Sequence, residues 1–163
     1  MTDDWIPAAV NRFERPLRLY ASRLLGDEHR GADAVQDAFL QLCRQPRDEV
    51  EPKLGPWLFT VVRRRCLDLL RKENRMTLLD DAPMPPPARE PGPAEAAELR
   101  DSSQDVLSRL KTLPAQQHEA LRLKFQNQFS YREIADVMGL SESHVGVILH
   151  HALKSLRTQM LPT

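Results

Sequence analysis

The chain has 163 residues, with 23 basic and 23 acidic side chains and a formal net charge of zero. That length holds one compact domain or two small ones, and a hydrophobic fraction of 41% permits true cores, but net charge announces no polyanion partner. No stretch approaches the roughly 18 uninterrupted apolar residues of a membrane span, and the acidic start Met1 to Asp4 leads into no export signal, so a cytoplasmic location is expected. Cys43 and Cys66 lie outside any paired metal-ligand spacing and read as small buried hydrophobes; neither metal nor cofactor is expected.

In chain order, Ile6, Ala9, Phe13, Leu17, Tyr20 and Leu24 recur at steps of three and four, which lines one side of a helix that Gly26 closes and Pro16 should kink. From about His29 to Gln45 the stripe repeats through Ala32, Val35, Ala38, Phe39 and Leu42, and Pro46 stops it. Its opposite side displays Asp33, Gln36, Asp37, Gln41 and Arg44. A third helix is predicted over about Pro56 to Asn74, with Pro56 in its first turn and Leu58, Val62, Cys66 and Leu69 on one face. Three such helices can share a core, whereas none would be stable alone.

Arg63, Arg64, Arg65, Arg71, Lys72 and Arg75 crowd thirteen residues whose only acids are Asp68 and Glu73. Positions 64, 68, 71 and 75 place Arg, Asp, Arg and Arg along one side of the helix. An ordinary solvated face fits this pattern, and so does a rigid row of guanidinium groups bracketing backbone phosphates. Trp57 and Phe59 stand at the head of the helix, either as core aromatics or as a platform on which an unpaired base stacks.

Six of the thirteen prolines fall between Pro83 and Pro93, in PMPPPAREPGP, which reads as a linker. Residues 1–79 carry 14 basic and 12 acidic groups, residues 80–105 carry 2 and 7, and residues 106–163 carry 7 and 4. Two mildly basic modules therefore flank an acidic tether. The expected division is a helical domain over 1–76, a Pro-rich linker over 77–104 and a second helical domain over 105–160.

In the second module Val106, Leu107 and Leu110 suggest a short helix, and Pro114 opens another that carries Ala120, Leu121 and Phe125. In SYREIADVMGLSESHVGVILHHALKSLR, Ser130 and Glu133 form a capping box, Gly139 permits a sharp turn, Leu140 plugs the corner and Ser141 caps a longer helix. Val145, Leu149, Ala152 and Leu156 point inward. The spacing of Ala135, Gly139 and Val145 matches a close helix crossing, a positive-φ turn and a branched filler, which is a helix-turn-helix in a four-helix domain. Its outer side offers Ser141, Glu142, Ser143, His144, Gly146, Val147, His150, His151, Lys154 and Arg157 to a DNA groove. Phosphate anchoring then falls to Arg132, Lys154 and Arg157, with Arg122 and Lys124 as further candidates. His150 and His151 are adjacent and diverge, so they do not make a metal-ligand pair.

Three strings in this order, GADAVQDAFLQL, LGPWLFTVVRRRCLDLLRKENR and LPAQQHEALRLKFQNQFSYREIADVMGLSESHVGVILHHALKSLR, resemble the small two-domain sigma factors of bacterial RNA polymerase, the extracytoplasmic-function type. The resemblance spans nearly all of residues 5 to 158. It implies an all-α protein in which Asp33, Gln36, Asp37 and Gln41 dock on a coiled coil of core RNA polymerase. It further implies that the loop from Pro46 to Leu54 and the helix bearing Trp57, Arg63, Arg64, Arg65, Arg71, Lys72 and Arg75 engage the promoter element nearest the start site and hold a flipped base of the nontemplate strand. The helix after Ser141 would read the more distant element as duplex DNA. The linker would run toward the RNA exit path, and an anti-sigma factor would be a further partner.

Two departures from the family pattern stand out. Arg64 sits where the family often has asparagine. In SESHVGVILHHALKSLR, residues around His144, Gly146, Val147, Ile148, His151 and Leu153 replace a stretch that usually carries several cations, so electrostatic attraction to DNA falls. No serine, histidine and carboxylate set and no glycine-rich phosphate loop marks an enzyme. Two other readings stay open: a helix-turn-helix regulator that never enters polymerase, and a sigma-like protein adaptor.

Overall fold

The computed structural model describes residues 5–79 and 112–160, in which all regular structure is helical. They fall into two compact units. The first contains α1 (Trp5–Leu25), α2 (Glu28–Leu42), α3 (Arg47–Val50), a 3-10 turn (Glu51–Lys53) and α4 (Leu54–Leu79). The second contains α5 (Ala115–Phe125), α6 (Tyr131–Met138) and α7 (Glu142–Met160). The all-α expectation holds, and so does the helical bundle of the first unit. The Pro-rich linker and the helix expected around Val106 to Leu110 lie outside the described residues.

In the first unit α1 packs along α2 and both rest on α4. Leu17, Ala21, Ala34, Ala38, Leu42, Leu58, Phe59, Val62 and Cys66 are 1% exposed or less and form its centre. Truncating a leucine in such a core costs about 2–5 kcal/mol, a large share of the stability of a small domain. Phe59 meets Tyr20 at 5.0 Å between ring centroids, tilted by 53°, and is a core aromatic rather than a stacking platform. The stripes differ from expectation in detail. Leu25 rather than Leu24 closes the α1 face, and Ala34 rather than Ala32 or Phe39 faces inward on α2.

The ends of these helices have identifiable causes. Gly26 takes φ 71° and returns its N–H to Ser22 O at 2.6 Å, and Asp27 Oδ1 then accepts from His29 N at 2.9 Å and Arg30 N at 3.4 Å. α2 stops at Leu42, three residues earlier than predicted, because the chain tightens: Arg44 N bonds Gln41 O and Gln45 N bonds Leu42 O, both at 3.0 Å, before Pro46. The predicted loop from Pro46 to Leu54 is instead two short helical turns pinned by buried Val50 and by Arg47, whose Nε donates to Glu51 Oε2 at 2.6 Å. α4 runs through Leu79, three residues beyond the expected edge of the domain.

In the second unit α5 and α6 each pack on α7. The capping box forms as predicted: Glu133 N donates to Ser130 Oγ at 3.1 Å and Ser130 N to Glu133 Oε1 at 2.8 Å. Gly139 adopts φ 69° and ψ 35°, and Leu140 N closes the helix onto Ala135 O at 3.0 Å. Ser141 Oγ accepts from His144 N at 3.0 Å and starts α7, whose Val145, Leu149, Ala152 and Leu156 are buried. Phe125, expected to mark the inward face of α5, is 61% exposed, whereas Leu123 is buried. Gln128, at φ 58°, turns the chain toward α6, a conformation that sequence periodicity does not reveal.

Candidate functional site

Three surfaces hold the residues singled out in the sequence. On α2, Asp33, Gln36, Gln41 and Arg44 are exposed, while Asp37 is half-buried. Leu40, 56% exposed, lies among them on the same face, since positions 33, 36, 37, 40 and 44 fall within about one third of the helix circumference. Periodicity missed it because it follows directly on Ala38 and Phe39, both of which the apolar rhythm assigns to the core, although Ala38 alone is buried.

On α4 the arginine cluster is only partly open. Arg65 Nε donates to Asp37 Oδ2 at 3.0 Å, joining a residue expected on DNA to one expected on polymerase. Arg30 of α2 pairs with Glu73, and Arg71 lies 3.6 Å from Asp68. Arg64 and Lys72 are exposed and make no ion pair among the described residues, and Arg63 is half-buried. The Arg64, Asp68, Arg71 side of the helix faces solvent as expected; the side chain of Arg75 lies outside the described residues. Trp57 is half-buried beside fully buried Leu58. The α3 segment adds a cation of its own, with the Arg47 guanidinium carbon 5.9 Å from the Trp5 ring centroid and its hydrogen bond holding the Glu51 carboxyl below the usual range.

On the helix-turn-helix, Glu142, Ser143, His144, Val147, His150, His151, Lys154 and Arg157 of α7 are all exposed, as are Ser141 and Arg132. The apolar run Gly146, Val147 and Ile148 does not form a patch. Ile148 is buried, the Gly146 position lies against the Tyr131 ring, where a Cβ would be 3.6 Å from Cε2, and Val147 alone points outward, 53% exposed. Arg122 is 7% exposed and therefore belongs to the core rather than to a phosphate contact. Lys124 is half-buried with Nζ 5.5 Å from the Tyr131 ring centroid.

Among the described residues no three His, Cys, Asp or Glu side chains are grouped to hold a metal, and no helix is long and apolar enough to cross a membrane.

Residues 9–76 match the family model for Sigma-70 region 2, and residues 103–156 match that for Sigma-70, region 4. The chain belongs to the sigma-70 family, among its extracytoplasmic-function members. It is 26% identical over 133 residues to the ECF RNA polymerase sigma factor SigM of Bacillus subtilis, covering 80% of each chain. It is 29% identical over 143 residues to SigL of Mycobacterium tuberculosis, covering 85% of this chain and 78% of that one. The sigma factor RpoE of Bartonella quintana, solved in complex with the anti-sigma factor NepR, has the same fold at a TM-score of 0.72, with 24% identity and 96% of both chains covered. As a sigma factor the protein is not an enzyme: it binds core RNA polymerase and promoter DNA and serves bacterial transcription initiation. A regulator that never enters polymerase is thereby set aside.

Proposed function

We propose that the three surfaces divide the work of a sigma factor. The α2 face docks on core polymerase through Asp33, Gln36, Asp37 and Gln41, with Leu40 as an apolar anchor among them. The α3 segment and α4 engage the promoter element nearest the start site: Arg64, Arg71 and Lys72 meet backbone phosphates, Arg63, Arg65 and Arg75 add cationic charge along the same helix, and half-buried Trp57 stands where a flipped nontemplate base can stack. Ser141, Glu142, Ser143, His144, His151, Lys154 and Arg157, with Arg132 from α6, face the more distant element as duplex DNA.

The domains then correspond to residues 1–76 for docking and melting and 105–160 for duplex reading, joined by the acidic stretch 77–104, which runs toward the RNA exit path. An anti-sigma factor is a further partner, a reading supported by the complex in which the fold relative from Bartonella quintana was solved. The observation that carries the proposal is that one helical bundle presents both a polar α2 face and an exposed cationic α4 face, adjoining at the Arg65–Asp37 pair, so that one module can touch protein and DNA at once.

Asp33→Lys and Leu40→Ser are expected to weaken binding to core polymerase by about tenfold each while leaving helix content unchanged, a loss near 1.4 kcal/mol. Asp37→Lys also breaks the Arg65 pair, so it is read beside them and not alone. Unchanged core affinity in both clean variants would remove the docking face. Promoter-specific transcription with purified core polymerase, followed by start-site mapping, then defines the DNA elements.

A further inference from the structure

α7 replaces the cations expected of a DNA-reading helix with three imidazoles. Before Lys154 it carries neither lysine nor arginine, yet His144, His150 and His151 are all exposed and together make up three of the five histidines in the chain. Their placement follows the helical period. Ser143, Val147 and Lys154 form the outermost line, opposite buried Val145, Leu149, Ala152 and Leu156. His144 and His151, seven residues apart, flank one side of that line; His150 and Arg157, also seven apart, flank the other. In a major groove the outermost line approaches base edges and the flanks approach the two phosphate backbones.

None of the three imidazoles is committed to an acidic partner among the described residues. Among the described residues none makes an ion pair, and the His150 and His151 rings meet only each other, edge to face at 5.7 Å between centroids. The charged and titratable groups of the neighbouring helices are His118, Glu119, Arg122 and Lys124 on α5 and Tyr131, Arg132, Glu133 and Asp136 on α6. Of these, Glu119 and Arg122 are buried, Glu133 is bound to the Ser130 N–H, and Lys124 lies over Tyr131. On α7 itself Glu142 is the single acid.

We propose that His144, His150 and His151 are phosphate contacts of α7 and make them as imidazolium, so that the grip on the distant promoter element strengthens as pH falls. This rests on the proposed reading of that element by α7. A neutral imidazole releases no counterion from DNA, whereas an imidazolium at a phosphate does, so protonation adds affinity and salt dependence together.

The test uses the full chain assembled with core polymerase on a duplex library randomised over the upstream positions, with a photo-crosslinker at residue 147 reporting DNA contact by α7. Between about pH 8 and pH 6, affinity of the wild type is expected to rise by about tenfold, and the slope of log K against log salt to steepen by about 2 to 3. The triple variant His144→Gln, His150→Gln, His151→Gln should bind weakly with the smaller pH dependence of polymerase alone. The triple His→Arg variant should bind tightly with that same small dependence. Wild type and the Gln variant changing in parallel, with the crosslink intact, overturns the histidine contacts and leaves α7 on DNA. Absence of the crosslink at either pH removes both. Helix content of each variant confirms folding.

Discussion

An added Cβ at Gly31 would lie 2.7 Å from Ser22 Oγ, 2.8 Å from Ser22 N and 3.0 Å from Ser22 Cα. Two of those neighbours are backbone, so α1 and α2 would have to separate. Gly31→Ala gains about 1 kcal/mol of helix propensity and loses about 1–3 kcal/mol to overpacking, so net destabilisation is expected in urea unfolding. Gly139 is the contrasting case: nothing lies within 4 Å of its missing side chain, but its φ of 69° belongs to the left-handed region. Gly139→Ala should cost about 1–2 kcal/mol through the backbone alone. At Glu51 the Arg47 hydrogen bond lowers the carboxyl pKa, so its stabilising contribution is present at neutral pH and is lost as pH falls through the folded value. Arg47→Ala should return that carboxyl toward its ordinary range in an NMR titration.

Among elements, α2 and α4 matter most because one packing contact joins two functions. The Arg65–Asp37 and Arg30–Glu73 pairs bridge α4 and α2 beside a fully buried seam of Ala34, Ala38, Val62 and Cys66. Exposed pairs of this kind contribute little each, and a double-mutant cycle of Asp37→Asn and Arg65→Gln should give a coupling of about 0.2–1 kcal/mol in stability. The buried seam, rather than the ion pairs, therefore sets where the α4 cations point. α7 is organised in the same way: Val145, Ile148 and Leu149 seat it on its neighbours, and the seating decides which of its polar residues face outward.

For the whole molecule, two separate cores imply two cooperative units. Urea unfolding followed at residue resolution is expected to resolve two transitions, with Gly31→Ala shifting the first unit and Gly139→Ala the second. A single transition in which either variant shifts both units equally would contradict independent cores. Division into two units also lets an overall neutral chain present locally different surfaces: the charge balance of each module, not the total, meets the partner.

Much of this was legible in the sequence because the signals are local. A capping box, a glycine at a helix end and a three-and-four apolar rhythm act through neighbours a few residues away, so Ser130, Glu133, Gly139, Gly26, the α7 stripe and the α1 stripe from Ala9 to Tyr20 read correctly, and the helix-turn-helix and family resemblance followed from them. Tertiary packing alone decided the rest. Arg122 reads as a surface cation until its helix is rotated into the core, Phe59 reads as either a core aromatic or a stacking ring until Tyr20 covers it, and Asp37 and Arg65, 28 residues apart, become one contact only when α2 lies on α4. Sequence spacing specifies which residues share a face of one helix; which face is turned to a neighbour, and at what rotation, depends on side chains contributed by a different part of the chain.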